Sequence, residues 1–332
     1  MMISASFPSL LQSFFTDRLQ RQRQASPHTV AAYRDCFRLL LQFAKERLGK
    51  SPSQIQIEDL DASFIGHFLD HLESNRKNSA RTRNIRLGAI HSFFKYVAFE
   101  EPAQALHCQR ILSMPNKRHE QRPIDFLNRE EIEALLGVPN PSTWLGRRDR
   151  TLLSLAFQTG LRVSELTGLN CQDVVLGTGS HVRCMGKGRK ERCTPLRLEV
   201  AKVLDAWLCE RHGRPEDPVF PSMRGGRLSR DAVEHLVAKY ADLAAQTCPS
   251  LQGKRVTPHV CRHSTAMDLL HHGVDRSVIA LWLGHESPET TRIYLHADMR
   301  LKEQALSRTA ALGVKPGRYQ PDDELMAFLE AL

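Results

Sequence analysis

Residues 174–196, VVLGTGSHVRCMGKGRKERCTPL, form the one clear β-region of the chain and decide its fold class. Apolar and β-branched runs alternate here with glycine-rich turns at 177–179 and 186–188, a pattern typical of antiparallel strands joined by tight turns. On both sides of this region the apolar residues recur at helical spacing instead. The sequence therefore predicts a mainly α fold with one small antiparallel β-sheet.

Helical patterns surround the β-region and define a second domain over residues 128–300. Asn128 and Glu131 form a capping-box pattern at its first helix. Helices are predicted near 129–137, 147–159, 162–170, 198–212, 229–246, 259–272, 275–283 and 287–296.

The first 105 residues are predicted to form a separate helical bundle. Ser26-Pro27 combines a helix N-cap with a proline at the first helical position, and Gly49 ends that helix. Further apolar stripes follow near 64–72 and 85–97, so a bundle of about four helices is expected.

The sequence predicts a linker between the two domains and a tail after the second. Three prolines, at 102, 115 and 123, and a polar run interrupt helical spacing over 101–127, and we interpret 106–127 as the linker. The tail, 301–332, has a breaker at 313–317 and then a short amphipathic segment that needs a partner surface. The apolar residues of that segment are Leu325, Met326, Phe328, Leu329 and Leu332.

Composition narrows the function classes. The 332 residues are 41% hydrophobic and 25% charged, which excludes wholesale disorder. The net charge of +9 is divided as +6 over residues 1–120 and +4 over 121–300, with −1 in the tail, and favours a polyanionic partner such as nucleic acid. No apolar run approaches the roughly 18 residues of a membrane span, and the N-terminus lacks the features of a secretory signal. Eight scattered cysteines without a Cys-x-x-Cys pair favour reduced thiols, so a cytoplasmic protein is expected.

Four short motifs in the second domain carry residues suited to phosphate chemistry. They are TGLRVSEL at 159–166, GKGRKER at 186–192, HVCRH at 259–263, and LGH at 283–285 with Tyr294 nine residues beyond it. Taken singly, each has a plain structural explanation: a surface salt bridge, a solvated hairpin, a helix cap, a core aromatic.

Together the motifs answer one chemical problem. Displacement at a phosphodiester spreads negative charge over its oxygens, and Arg162 and Arg262 offer planar donor forks that match them. His259 and Lys187 supply further donors and proton transfer. The hydroxyl of Tyr294 can attack phosphorus and hold a covalent intermediate. No Asp/Glu cluster suited to a two-metal site is present, so neither a metal nor another cofactor is expected.

In order and residue type the motifs resemble the tyrosine recombinase (phage integrase) family, which includes the Xer recombinases. The family pattern is an arginine in T-G-x-R-x-x-E-L, a lysine in a β-turn, H-x-x-R, L-G-H, and a tyrosine about nine residues later. This chain carries the complete set in order: Arg162 with Glu165, Lys187, His259 with Arg262, His285, Tyr294. The match covers about residues 128–296, and a small departure is Cys261, where the family often has leucine.

The N-terminal region resembles the helical, SAM-like core-binding domain of the family, although more loosely. Ser26, Thr29 and Tyr33, with the later Phe/Leu stripes, carry this similarity.

The resemblance implies a site-specific DNA recombinase that cuts and rejoins duplex DNA without metal or ATP. Tyr294 would be the nucleophile, giving a 3′-phosphotyrosyl link and a free 5′-hydroxyl. Arg162 and Arg262 would clamp the scissile phosphate. Lys187 would act as general acid toward the leaving 5′-oxygen, and His259 would assist proton transfer.

Two further residues receive supporting roles from the resemblance. His285 would donate a hydrogen bond to a non-bridging oxygen of the phosphate. Glu165 would be a supporting partner that fixes either Arg162 or His259.

Double-stranded DNA is the expected partner, with self-association as a dimer or tetramer on it. The residues predicted to bind DNA are Arg76, Lys77, Arg81, Arg83, Arg86, Arg189 and Lys190. For the first five the alternative is a solvated helix end. The tail would dock on a neighbouring protomer or back on its own domain.

Two other functions remain open at this point: a DNA-binding protein without chemistry, and a type IB topoisomerase. The complete residue set argues against the first. The N-terminal bundle and the tail favour recombination over the second.

Overall fold

The computed structural model describes residues 6–119, 124–186 and 191–284, and the chain divides into two compact units, Met1–Gln121 and Arg122–Leu332. The prediction of a mainly α fold with one small antiparallel sheet is confirmed. Several predictions lie outside the described residues: Lys187, Arg189, Lys190, His285, Tyr294, the helix near 287–296 and the tail 301–332.

The N-terminal unit is a helical bundle. Its helices are α1 (Phe7–Ser13), α2 (Pro27–Leu48), α3 (Ala62–Ser74), α4 (Ala80–Glu100) and α5 (Ala105–Leu112). Ser26 caps α2 as predicted, since its hydroxyl accepts from the Thr29 amide at 3.2 Å, and Gly49 ends that helix with a φ of +66°. The sequence patterns did not predict α1 or the π-helical segment Phe14–Gln22 that follows it.

Phenylalanine rings fill the core of this unit. The ring of Phe93 lies 5.4 Å from that of Phe14 and 5.2 Å from that of Phe37, both edge to face, which is a favourable geometry for aromatic pairs. All three rings are buried.

The first part of the predicted linker is instead a helix of the N-terminal unit. Pro102 opens a 3₁₀ turn, Pro102–Gln104, which leads directly into α5. Cys108 and Ile111 on α5 are fully buried in the core of the bundle. Beyond α5, the Lys117 amide donates to the side chain of Asn84 at 2.9 Å. The predicted start of the linker, residue 106, therefore lies too early in the chain. Pro102 does not end the helical unit, because it occupies the first position of a helical turn, where a proline is tolerated.

The C-terminal unit contains seven described α-helices close to their predicted positions. They are α6 (Arg129–Gly137), α7 (Trp144–Thr159), α8 (Val163–Gly168), α9 (Leu198–Arg211), α10 (Arg230–Ala244), α11 (Pro258–His271) and α12 (Arg276–Leu283). The start of α7 was predicted three residues late, because the cap is Thr143, whose hydroxyl accepts from the Gly146 amide at 3.0 Å. No helix in the described ranges of either unit has the length and apolarity to cross a bilayer.

The sheet has three antiparallel strands in the order β1 (Val174–Val175), β2 (His181–Met185) and β3 (Glu191–Pro195). In the register of β2 and β3, Arg192 stands opposite Cys184, a buried residue. The hairpin thus directs one basic side chain of the 186–192 motif toward the interior of the unit.

Candidate active site in the C-terminal unit

Four helix ends of the C-terminal unit meet where the predicted arginines lie. Helix α7 ends at Gly160, whose φ is +61°, and Arg162 stands directly before α8. Helix α11 begins at Pro258 after the cap Thr257, and α12 ends at Gly284, whose φ is +64°. Carbonyl groups at helix C-termini have no partner within the helix and carry partial negative charge, so the ends of α7 and α12 attract cations.

Arg262 is buried at this junction, with 3% of its surface exposed. Its Nη1 donates to the carbonyl of Gly160 and its Nη2 to the carbonyl of Leu283, both at 2.6 Å. A Cβ at Gly160 would lie 2.6 Å from Cδ2 of Leu283, so this close approach requires glycine. The T-G-L-R motif therefore contains both an arginine and the turn that lets α12 approach.

Arg162 reaches the same segment from the other side. Its Nη2 donates to the carbonyl of Gly284 at 3.0 Å and its Nη1 to Glu165 at 2.9 Å. The guanidinium groups of Arg162 and Arg262 thus bind the carbonyls of two consecutive residues, Leu283 and Gly284. The side chain of Arg162 is 35% exposed, so it also faces solvent.

Glu165 is surrounded by arginine donors. Its Oε2 accepts from the backbone N–H of Arg162 at 2.7 Å, and Arg192 donates to both of its oxygens at 2.9 and 2.8 Å. Burial acts to raise the pKa of Glu165, but the hydrogen bonds and charges of Arg192 and Arg162 outweigh it and hold the pKa below its usual value. Of the two predicted roles for Glu165, these contacts support the fixing of Arg162.

His259 lies in the first turn of α11, three residues before Arg262, and is exposed. Its ring contacts that of the buried His263, with centroids 4.2 Å apart and the planes at 66°. One helix start therefore presents an imidazole to solvent and an arginine to the interior.

The structure thus brings Arg162, Glu165 and Arg262 together, with His259 on the same helix as Arg262. His285 follows Gly284 directly in the chain, although it lies outside the described residues, as do Lys187 and Tyr294. The carbonyl groups that the two arginines hold belong to the L-G pair of the L-G-H motif.

The basic cluster of the N-terminal unit separates into two kinds of side chain. Arg76, Lys77 and Arg81 are exposed around the start of α4. Arg83 instead lies 3.5 Å from Glu73, and Arg86 donates to the carbonyl of Ala32 at 3.3 Å. Three of the five cations are therefore available to an external anion as they stand.

The sequence patterns gave no role to Arg192, which falls in a basic run interpreted as a solvated face or a phosphate contact. The available signal was strand alternation, since Arg192 and the buried Thr194 lie on one face of β3. Within the described residues, no group of three or more His, Cys, Asp or Glu side chains is arranged to hold a metal ion.

Comparison with protein families agrees with the motif pattern. The model of the phage integrase family matches residues 125–300, and the model of its N-terminal SAM-like domain matches residues 13–101. These ranges fall in the C-terminal and N-terminal units respectively, so the similarity of the N-terminal region to the SAM-like domain is confirmed.

Individual relatives span nearly the whole chain. A putative integrase/recombinase, y4rC, of Sinorhizobium fredii is 53% identical over 99% of both chains. The tyrosine recombinase XerD of Yersinia pestis is 35% identical over 87% of this chain and 93% of its own.

Solved structures share the fold at lower identity. The XerH recombinase bound to its palindromic difH substrate superimposes with a TM-score of 0.69 at 24% identity, over 86% of this chain and 81% of that one. The Tn1549 transposon integrase in complex with transposon right end DNA gives 0.68 at 16% identity, over 91% and 99%. The chain therefore belongs to the phage integrase family, whose members are tyrosine-type site-specific recombinases.

Proposed function

We propose that this recombinase cuts and rejoins duplex DNA through a 3′-phosphotyrosyl link to Tyr294, with Arg162 and Arg262 as the clamp on the scissile phosphate. The observation that carries the proposal is the pair of guanidinium groups on the consecutive carbonyls of Leu283 and Gly284. This arrangement fixes the relative placement of two cations and of the chain segment that enters His285. Fixed donors stabilise developing charge without reorganising during the reaction.

The clamp keeps donors for a substrate. A guanidinium has five N–H donors, and the Arg162 side chain uses two of them on Glu165 and Gly284 among the described residues. Its partial exposure leaves the remaining donors accessible to a phosphate. Arg262 is buried and holds its side of the clamp from within the unit, with two of its donors on the carbonyls of Gly160 and Leu283.

The proposed reaction balances without an external energy source. The hydroxyl oxygen of Tyr294 forms a bond to phosphorus while the bond to the 5′-oxygen breaks. His259 assists removal of the phenol proton, and Lys187 protonates the leaving 5′-oxygen. His285 donates to a non-bridging oxygen. Rejoining reverses these steps with a 5′-hydroxyl as nucleophile, and the phosphotyrosyl bond conserves the energy of the broken linkage, so neither ATP nor a metal is required.

Double-stranded DNA is the proposed partner of both units. The XerH recombinase and the Tn1549 integrase are each bound to DNA in their solved structures. In this chain the exposed Arg76, Lys77 and Arg81 can bind phosphates from the N-terminal unit, and Arg189 and Lys190 follow Lys187 in the sequence. For six to ten phosphate contacts, affinity should fall by about 10³–10⁵ between 50 and 200 mM salt. Binding that hardly changes over this range would contradict the two-unit model.

We further propose that the chain assembles as a dimer or tetramer on DNA through its tail. The C-terminal unit has a cavity of about 1490 Å³, with Phe157, Leu196 and Trp282 among its lining residues. Charged side chains line the cavity as well, so it offers both apolar and polar contacts to the amphipathic segment around Leu325–Leu332. Deleting residues 318–332 should weaken cooperative assembly in a gel-shift titration and spare single-site binding. Unchanged cooperativity would instead favour docking of the tail in cis.

Covalent capture tests the proposed chemistry whatever the target sequence is. The full-length protein is incubated with a pool of nicked duplexes of random sequence, and adducts that survive detergent are isolated and sequenced. A nick just downstream of the cut site lets the short fragment with the free 5′-hydroxyl diffuse away, so rejoining fails and the phosphotyrosyl protein is trapped. We expect wild-type adducts on a defined sequence and none with Tyr294→Phe. Sequence-specific binding without an adduct would identify a non-catalytic DNA-binding protein, and supercoil relaxation without recombinant product a topoisomerase.

A further inference from the structure

Arg192 is a largely buried cation next to the clamp that no step of the proposed reaction uses. It lies on β3, with 12% of its side chain exposed. Its Nη1 and Nη2 bind the two oxygens of Glu165 at 2.9 and 2.8 Å, a bidentate geometry that fixes the plane of the carboxylate.

The bonds of Arg192 complete the coordination of Glu165. A carboxylate has about four acceptor positions. In the structure Oε1 accepts from Nη1 of Arg162 and Nη1 of Arg192, while Oε2 accepts from the backbone N–H of Arg162 and Nη2 of Arg192. All four positions are used, two by each arginine. Loss of Arg192 would therefore free half of them and allow the carboxylate to turn away from the Arg162 guanidinium.

The exposed fractions of the three side chains indicate which of them holds the others in place. The side chains of Glu165 and Arg192 are 5% and 12% exposed, whereas that of Arg162 is 35% exposed. The more deeply buried pair is thus the inner anchor, and Arg162 is the outer member that reaches a substrate.

Arg192 also contacts the segment that carries the L-G-H motif. A Cβ placed on Gly284 would lie 2.6 Å from Nη1 of Arg192, so the guanidinium packs directly on this glycine. Arg162 donates to the carbonyl of the same residue. In the chain, Arg192 stands five residues after Lys187, at the beginning of the strand that follows the β-turn.

We propose that Arg192 is a positioning residue of the recombinase, which holds Glu165 and through it the Arg162 guanidinium, and which ties the β2–β3 hairpin to Gly284. The proposal rests on the proposed function, since it assigns Arg192 a part in the same cleavage step.

The protonation of Glu165 distinguishes this role from a simple hairpin brace. Among the described residues, the charged groups that face Glu165 are Arg162 and Arg192, and Cys184 lies close to them. Burial raises the pKa of Glu165, while the hydrogen bonds and charge of Arg192 lower it. Without Arg192 the pKa of Glu165 should rise, and the protonated form would lose its ion pair with Arg162. If Arg192 only stabilised the hairpin, the cleavage rate of the variant would show no such dependence on pH.

The test compares single-turnover adduct formation by full-length variants on the duplex that covalent capture selects. Arg192→Gln should lower the rate at saturating protein by roughly 10- to 100-fold, because the clamp is displaced, and leave duplex affinity unchanged. The ratio of the wild-type rate to the variant rate should grow as the pH falls from about 7.5 to about 5.5, because more of the variant's Glu165 becomes protonated. Arg192→Lys keeps the charge without the fork, so it should restore the wild-type pH profile and part of the rate.

Two control variants test whether Arg192 acts through Glu165. Arg183→Gln removes one cation from the same hairpin, where Arg183 binds only the Gln172 carbonyl among the described residues, and it should cleave at the wild-type rate. In a Glu165→Gln background, Arg192→Gln should add little further loss, because the two residues act as a unit.

Defined outcomes would overturn the proposal. A wild-type rate of adduct formation for Arg192→Gln at every pH would do so. The same would follow if Arg192→Gln lowered the rate in the Glu165→Gln background by as much as it does in the wild type. If Arg192→Gln does not fold, Arg192→Lys decides: a reduced rate at unchanged affinity supports the role, and a wild-type rate refutes it. Absence of an adduct with the wild-type protein would instead contradict the proposed function itself.

Discussion

The two units bury different kinds of side chain. In the described part of the N-terminal unit, 6–119, the buried residues are apolar, and no charged side chain is among them. The C-terminal unit buries five charged side chains within its described ranges: Glu131, Arg148, Asp149, Glu165 and Arg262.

This difference separates a unit with an apolar core from the unit that carries the candidate site. A buried charge must be paired and hydrogen-bonded to offset the loss of its hydration. Arg262 and Glu165 meet this requirement with backbone carbonyls and arginines at the junction of four helix ends. The resulting rigidity is what a charge-stabilising site requires, whereas the phenylalanine core of the N-terminal unit supplies stability alone.

The largest effect is expected from the core of the N-terminal unit. Phe93→Ala should lower the free energy of unfolding of this unit by about 3–5 kcal/mol, because the ring packs on Phe7, Phe14, Phe37 and Phe94. The three tryptophans of the chain, at 144, 207 and 282, all lie in the C-terminal unit. Circular dichroism should therefore show an early transition that tryptophan fluorescence does not follow.

Phe99→Ala is the matched control, since Phe99 is 81% exposed on the same helix. It should change stability by less than about 0.5 kcal/mol. Equal shifts of both signals by Phe93→Ala would show that the two cores do not unfold separately.

Arg262→Lys tests whether the buried charges of the C-terminal unit serve the reaction. Lysine keeps the charge but cannot reach the carbonyls of Gly160 and Leu283 with one planar fork. We expect adduct formation to fall by about 10²–10³-fold, comparable to the loss of one preorganised donor. Single-turnover capture on nicked duplex measures it, with the exposed Arg276→Lys as control. A fully active Arg262→Lys protein would remove Arg262 from the clamp.

Local patterns were sufficient to predict most elements of the fold. The Ser26 cap, the Asn128–Glu131 capping box and the hairpin all follow from spacing within a few residues, and all are present. The helix α5 was not foreseen, because Pro102 is a breaker within a helix and an acceptable first residue of one, and tertiary packing of Cys108 decides between them.

The site could be predicted in composition but not in geometry. Residue type and order indicated Arg162 and Arg262, since phosphate chemistry favours these donors, and the family resemblance added Glu165 as a supporting partner. That their guanidinium groups share the carbonyls of 283 and 284 depends on contacts between residues far apart in the chain, which no local pattern encodes. Arg192 was missed for a related reason: a basic run is usually a solvated face, and only pairing with Cys184 turns this residue inward.

A smaller effect is expected where a buried charge is structural. Glu131 is fully buried and binds Lys254 at 2.7 and 2.9 Å. Burial raises its pKa, but the hydrogen bonds from Lys254, Ser250 and the Asn128 backbone lower it below the usual value. Glu131→Gln should destabilise the C-terminal unit by about 1–3 kcal/mol at neutral pH. Because the pKa is lowered on folding, this difference should persist above about pH 4.5 and shrink as the pH falls below it.

Tryptophan-detected urea unfolding at several pH values measures this change. Glu133→Gln, an exposed carboxylate on the same helix, is the control and should have little effect. A difference that stays constant down to about pH 3 would show that Glu131 contributes by shape rather than by charge.

The smallest effect is expected at the other buried charge cluster. Arg148 binds one oxygen of Asp149 through two nitrogens, at 2.8 and 2.7 Å, and the Tyr240 hydroxyl donates to the other at 2.8 Å. Tyr240→Phe removes one hydrogen bond to a charge that keeps its arginine, so a loss of about 1 kcal/mol is expected in the same urea titration. Burial and the charge of Asp149 raise the pKa of Tyr240, so the bond contributes fully below about pH 10 and is lost as the pH rises further. Wild type and variant should therefore converge in strong alkali, with adduct formation at neutral pH unchanged. A slower cleavage rate of the variant would contradict a purely structural role and show that this charge cluster also affects the reaction.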